Sequence, residues 1–170
     1  MTTSIKTLFG DFLNMPYYRN HAAASGAVHN CAKHEEALVT VMEGHGYTKY
    51  LPPKKLQKKD FNRSDFLENM PSGSYIEQPF GTHSAPDFFV KAPTGEVVPL
   101  EAKSSATGTY PTYNSGGVKH GYWYVFCSKK TNSTTLYRGE DIITYEQQRL
   151  ISEHIEEEKR RASILNERLK

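Results

Sequence analysis

Ser84-Ala85-Pro86-Asp87-Phe88-Phe89-Val90, then Pro93-Thr94-Gly95, then Val97-Val98-Pro99-Leu100-Glu101-Ala102-Lys103-Ser104-Ser105 is the stretch that decides the fold. Two apolar runs flank a Pro-Thr-Gly loop. Proline presets φ near about −65° and glycine accepts a positive φ, so the spacing predicts a hairpin with a three-residue loop. That loop sets the register: Ala92 opposite Glu96, Val90 opposite Val98, Phe88 opposite Leu100 and Asp87 opposite Glu101. Side chains alternate along a strand, which puts Phe88, Val90, Val98, Leu100 and Ala102 on one apolar face. Asp87, Glu101 and Lys103 share the other.

Two carboxylates placed opposite each other repel, and a bound dication relieves the repulsion. An all-oxygen ligand set favours Mg²⁺, completed by waters and a substrate phosphate. Lys103 lies two strand residues beyond Glu101, roughly 6 to 7 Å away, within reach of a water directed at that phosphate. A hairpin whose charged face is only solvated is the alternative. Pro99 stands inside the second strand, where it removes a ladder donor, so the strand is expected to bulge or to lie on an edge there.

Pro86-Asp87, a gap, then Glu101-Ala102-Lys103 resembles the PD-(D/E)xK nuclease superfamily, to which type II restriction endonucleases belong. Tyr75-Ile76-Glu77-Gln78-Pro79-Phe80-Gly81 looks like the segment before the catalytic Asp in some of these enzymes, and His34-Glu35-Glu36 fits an upstream helix bearing an acid. The resemblance covers about residues 30 to 130. It implies an α/β, restriction-endonuclease-like core, a small mixed β-sheet flanked by helices. It also implies Mg²⁺-dependent hydrolysis of double-stranded DNA, with Mn²⁺ able to substitute. Asp87 and Glu101 would bind the metal with the carbonyl of Ala102, Lys103 would orient or activate the attacking water, and Glu35 would assist through water. Cutting both strands with one small site implies a homodimer on a palindromic target. A restriction role would also pair the enzyme with a cognate DNA methyltransferase. A homing, repair or junction-resolving nuclease would carry the same triad with different DNA-reading loops, and a non-catalytic DNA-binding module is the alternative of another class.

The rest of the chain fits one domain, with a core over about residues 28 to 143 and a terminal helix over about 145 to 169. A mean hydropathy of −0.65 describes a polar globule. No run approaches a membrane span and no signal-peptide core is visible, so a cytoplasmic location is expected. Cys31 and Cys127 suggest reduced thiols rather than a disulfide framework. His21, His29, Cys31, His34 and His45 match no compact zinc-ligand spacing.

Helical periodicity appears at 4–13, with Ser4 or Thr3 as cap, and at 28–43. In the second helix Cys31, Glu35, Leu38 and Met42 share a stripe, so Glu35 points inward, either towards the metal or as a helix-end acid stabilised by the dipole or a lysine. Net charge is only +2. Lys54, Lys55, Lys58, Lys59 and Arg63 place five positive charges in ten residues, which beside such a site favours phosphate contact over a merely solvated surface. Gln78 and His83 are placed to reach base edges or a phosphate, or else to tie down their loop. The polar stretch 104–117 leaves the catalytic strand directly, which makes Tyr113, Asn114, Lys119 and His120 candidates for substrate contact. Tyr122 to Cys127 and Thr134 to Arg138 read as paired strands. Thr144 and Gln147 form a capping box for a helix with a stripe of Ile151, Ile155, Ala162, Leu165 and Leu169. That stripe outlasts what a small domain can cover, so it either packs on a second subunit or stays solvated.

Overall fold

The computed structural model describes residues 2–17, 30–57, 65–82, 84–113 and 117–169, with side chains left out at 30–33, 65 and 66. Lys58, Lys59, Arg63, His83 and Asn114 lie outside these residues, as do His21, His29 and the side chain of Cys31. In chain order the elements are α1 (Ile5–Asn14), α2 (Asn30–Gly44), β1 (Thr48–Lys49), α3 (Asp65–Asn69), β2 (Ser74–Glu77), β3 (Phe88–Lys91), β4 (Val97–Ser105), β5 (Trp123–Ser128), β6 (Ser133–Arg138) and α4 (Tyr145–Arg168). The strands form one mixed sheet in the order β1-β2-β3-β4-β5-β6. Pairing is parallel for β1 with β2 and for β4 with β5, and antiparallel elsewhere. The α/β architecture with a small mixed sheet and a long C-terminal helix is as the sequence predicts.

The β3–β4 hairpin keeps the expected register, Phe88 with Leu100 and Val90 with Val98. Gly95 sits at φ 92°, the left-handed region that glycine enters at little cost. Ala92 N–H donates to the Glu96 carbonyl at 2.8 Å. Antiparallel alternation then makes Phe89–Pro99 a non-hydrogen-bonded pair, with the proline nitrogen turned away from β3. The β5 ladder begins one residue later, at Leu100. Pro99 therefore occupies a local edge, the second of the two outcomes its sequence position allows, and the register does not slip.

One face of the sheet takes the helices. Phe88, Val90, Val98, Leu100 and Val125 pack against Leu8, Phe9 and Phe12 of α1 and Leu38 and Met42 of α2. Ser4 caps α1 by accepting from Thr7 N–H at 3.2 Å, as its position just before the helix predicts. Behind the hairpin the other face is covered too, which its alternation did not reveal. Phe89 is fully buried there, with Leu56, Met70 and Ile76. His45, one of the scattered histidines, ties the N-terminus down by bridging Thr3 (2.6 Å) and Asp11 (2.7 Å). Cys127 is fully buried, and its thiol donates to the Pro16 carbonyl at 3.7 Å. Among the described residues no helix is long and apolar enough to cross a membrane.

A parallel β4–β5 pair needs a crossover, usually a helix, yet the described residues between the two strands, 106–113 and 117–122, hold no helix. The ends of this connection are pinned. Gly108 N–H donates to Ser105 Oγ at 2.8 Å, the Ser128 hydroxyl donates to the Gly108 carbonyl at 2.8 Å, and Lys119 N–H donates to the Tyr124 hydroxyl at 2.7 Å. Gly139 N–H closes on the Tyr122 carbonyl at 2.8 Å. A Cβ added to Gly139 would stand 1.8 Å from the Lys119 carbonyl oxygen. That neighbour is backbone and cannot rotate aside. Gly139→Ala is therefore expected to destabilise the protein by about 1–3 kcal/mol, the range for overpacking a filled site. Urea denaturation checks this, and unchanged stability would contradict the close approach.

Candidate active site

The hairpin register brings Asp87, just before β3, beside Glu101 in the middle of β4. Asp87 lies one residue before β3, in the turn that follows the cis peptide Ala85–Pro86. Its Oδ2 accepts from Ala102 N–H at 2.7 Å, which fixes the carboxylate against β4. Glu101 is only 7% exposed. Lys103 Nζ donates to its Oε1 at 2.7 Å, so the amine neutralises Glu101 directly and is not set apart from it as the strand spacing suggests. Glu101 Oε2 is buried with no hydrogen-bond partner among the described residues. A buried carboxylate oxygen left in that condition is costly.

Charge accumulates around this pair. Burial first, then the Glu101 carboxylate, pushes the Asp87 carboxyl up to about 7, against the opposing Ala102 N–H. Glu35, on α2, is half-buried and also raised by burial. The Gln78 amide opposes that shift by donating to Glu35 Oε2 at 3.0 Å, while Glu77 and Glu101 add to it and Lys103 lowers it. Glu35 thus points inward as its stripe predicts, held at the acidic cluster by an amide.

Residue His34 explains how α2 is oriented for this. Its ring is 1% exposed and its Nε2 lies 3.1 Å from the Val125 carbonyl. Because a carbonyl only accepts, Nε2 carries the proton. Burial lowers its pKa to about 4, so the ring is neutral near pH 7 and anchors the helix to β5.

Tyrosines line the Glu101 side. Tyr124 pairs with Glu101 across β4–β5 and stacks on Tyr137 at 5.2 Å. Burial and the nearby Glu101 push the Tyr122 hydroxyl up to about 12 and raise those of Tyr124 and Tyr137 as well. These aromatics read as plain sheet core from the sequence; their place beside the acid was not evident. Glu77, at the end of β2 and ion-paired with Lys49, was likewise given no role, although it immediately precedes Gln78.

The DNA-contact candidates are distributed differently. Lys54 and Lys55 are exposed. Tyr113 shares a 2.7 Å hydrogen bond with the Tyr137 hydroxyl and packs its ring edge-on against Tyr124. His120 packs against Tyr145 and its N–H donates to the Gln148 side chain. Lys119 is half-buried next to it. The polar connection is therefore anchored through these residues to the tyrosine cluster and α4.

Among the described residues no three His, Cys, Asp or Glu side chains gather into an ion-holding group. A cation would instead meet two carboxylates, Asp87 and Glu101, with Ala102 following Glu101 in β4. The unpartnered Glu101 Oε2 and the mutual repulsion of the two acids fit such an ion. In comparisons with known proteins no family model matches the chain, and no curated protein or solved structure matches it significantly.

A folded-state pKa above the ordinary 3.8 makes Asp87 a source of stability at low pH that is lost as pH rises towards about 7. In EDTA, the melting temperature of the wild type relative to Asp87→Asn should therefore fall between about pH 5 and about pH 8. Asparagine retains an acceptor for Ala102 N–H but does not titrate. Millimolar Mg²⁺ at the higher pH should raise the wild type and leave Asp87→Asn unmoved. A wild type indifferent to Mg²⁺ would contradict the assignment.

Proposed function

We propose that this protein is a Mg²⁺-dependent endonuclease hydrolysing phosphodiester bonds of double-stranded DNA, a sequence-specific enzyme of the restriction type with a restriction-endonuclease-like core. The observation that carries the reading is the convergence of Asp87, just before β3, with Glu101 and Lys103, inside β4, with one Glu101 oxygen unpartnered among the described residues. Asp87 and Glu101 would hold the ion, with the Ala102 carbonyl as a further donor. Mg²⁺ bound there supplies Lewis-acid stabilisation of the charge gathering on the phosphoryl oxygens. Ala102 N–H keeps Asp87 from rotating away. Lys103 Nζ neutralises Glu101 and presents its remaining N–H bonds to a water at the phosphate. Burial of both carboxylates strengthens each of these electrostatic contacts. Lys54 and Lys55 supply exposed positive charge for the DNA backbone.

Plasmid and long linear DNA incubated with the protein should give discrete bands with Mg²⁺ and none with EDTA. Lys103→Ala should slow cleavage by about 10²–10⁴-fold, the range for losing a proton-handling group. A smear or nicked circles would indicate a repair, resolving or degradative nuclease instead. Absence of both cleavage, with any of several divalent metals, and a gel shift would contradict the proposal.

The partner this reading calls for is a second copy of the chain, seated on α4. None of that helix is buried, and Ile151, Leu165 and Leu169 on its predicted stripe are exposed. Glu153, Glu156, Glu157 and Glu158 precede Lys159, Arg160, Arg161 and Arg168, so an antiparallel copy sets acid against base. Sedimentation equilibrium should return twice 19.3 kDa. Leu165→Glu should give a monomer without lowering the stability of the monomeric fold, because the residue packs on nothing within it. A wild-type monomer at micromolar concentration would contradict the dimer.

A further inference from the structure

We propose that Gln78 is a positioning residue that holds Glu35 in the field of the Asp87–Glu101 pair, and that this is its principal role at the site. The inference rests on the cation site of the proposed function and specifies how that site's third acid is kept in place.

Gln78 takes φ 45°, in the left-handed region. A residue with a β-carbon is strained there, whereas glycine is not and asparagine is only mildly so. The other positive-φ residue with a side chain among the described ones is Asn132, a residue type suited to that conformation, in the β5–β6 turn. Gln78 is not suited in this way, and strain that persists near a site points to a use for the side chain. The residue makes three bonds at the site, two through its backbone and one through its side chain. Its N–H donates to the Asp87 carbonyl at 2.6 Å, carrying the β2–β3 ladder one step past Glu77–Phe88. Its carbonyl accepts from Gly81 N–H at 2.9 Å, closing the turn. Its side-chain amide donates to Glu35 Oε2 at 3.0 Å.

One residue thus fixes the backbone that presents Asp87 and, through its amide, the carboxylate delivered by α2. Glu35 stands among other acids, Glu77 and Glu101, that disfavour its charged form. An amide N–H favours the carboxylate and fixes its rotamer, and an unheld glutamate there would turn to solvent. An amide already spent on Glu35 is also poorly placed to read a base edge.

The test compares Mn²⁺ affinity, by titration followed with electron paramagnetic resonance, in wild type, Gln78→Gly, Gln78→Asn, Glu35→Gln and the Gln78→Gly/Glu35→Gln double variant. Glycine suits the backbone angle, so Gln78→Gly should keep the thermal stability. Asparagine also tolerates the angle but its amide falls one methylene short. Both should weaken Mn²⁺ binding about 10-fold, the lower end of the effect expected for loss of an outer-shell contact. The double variant should bind no more weakly than Glu35→Gln alone, because Gln78 acts through Glu35. DNA affinity measured in Ca²⁺ should stay within about two-fold of wild type.

Additive losses in the double variant would overturn the proposal. So would unchanged Mn²⁺ affinity in Gln78→Gly, or a loss of DNA affinity without a loss of Mn²⁺ affinity. A wild type that binds no Mn²⁺ removes the cation site and the positioning role together. Coupled Mn²⁺ affinities in a protein that cuts no DNA would uphold Gln78 and refute the nuclease activity alone.

Discussion

Two carboxylates held at neighbouring positions in a largely buried place, with one lysine between them and solvent, are the constraint on which the site depends. Asp87 is brought there by hairpin register and is fixed by a single N–H, that of Ala102. Glu101 has one oxygen on Lys103 and the other without a partner among the described residues. Desolvating one acid beside another is unfavourable on both counts, and the raised Asp87 pKa expresses that cost. The surrounding elements tolerate the arrangement because β4, the strand that carries Glu101, is paired on both sides and packed on both faces. The strand framework supplies the rigidity and the acids the frustration.

Rigid elements also determine what faces the pair. α2 is tied to β5 through the neutral ring of His34, and the next residue is Glu35. β2 ends at Glu77, and the following residue turns the chain and reaches back to Glu35. On the Glu101 side a tyrosine cluster anchors the crossover between β4 and β5. Helix, sheet and crossover thus each contribute residues around the same pair of acids.

The hairpin was legible in the sequence because its signals are local. A Pro-Thr-Gly loop fixes register, and the alternation of Phe88, Val90, Val98 and Leu100 fixes the helix-packed face. The caps of α1 and α4 were legible for the same reason, since Ser4 and Thr144 act on N–H groups three residues on. Phe89 was not, because alternation gives the side of a strand and says nothing of what will cover that side. Gln78 acts on Glu35 of α2, 43 residues earlier, and Glu77 pairs with Lys49 of β1; no local pattern reports such contacts. The packing partners of Tyr113 and His120 were not legible either, since Tyr137 lies in β6 and Tyr145 in α4, well downstream of the polar run. The identity of the parallel pair β4–β5 was hidden too, since its crossover has none of the helical periodicity that normally announces one.

The central claim is that Asp87 and Glu101 together hold a divalent cation. Anomalous diffraction from crystals soaked in Mn²⁺, collected above and below the manganese edge, tests it most directly. The account predicts one strong peak in contact with Glu101 Oε2 and an Asp87 oxygen, lost in Asp87→Asn. A map with no peak there, or with manganese only at the acidic surface of α4, would contradict it.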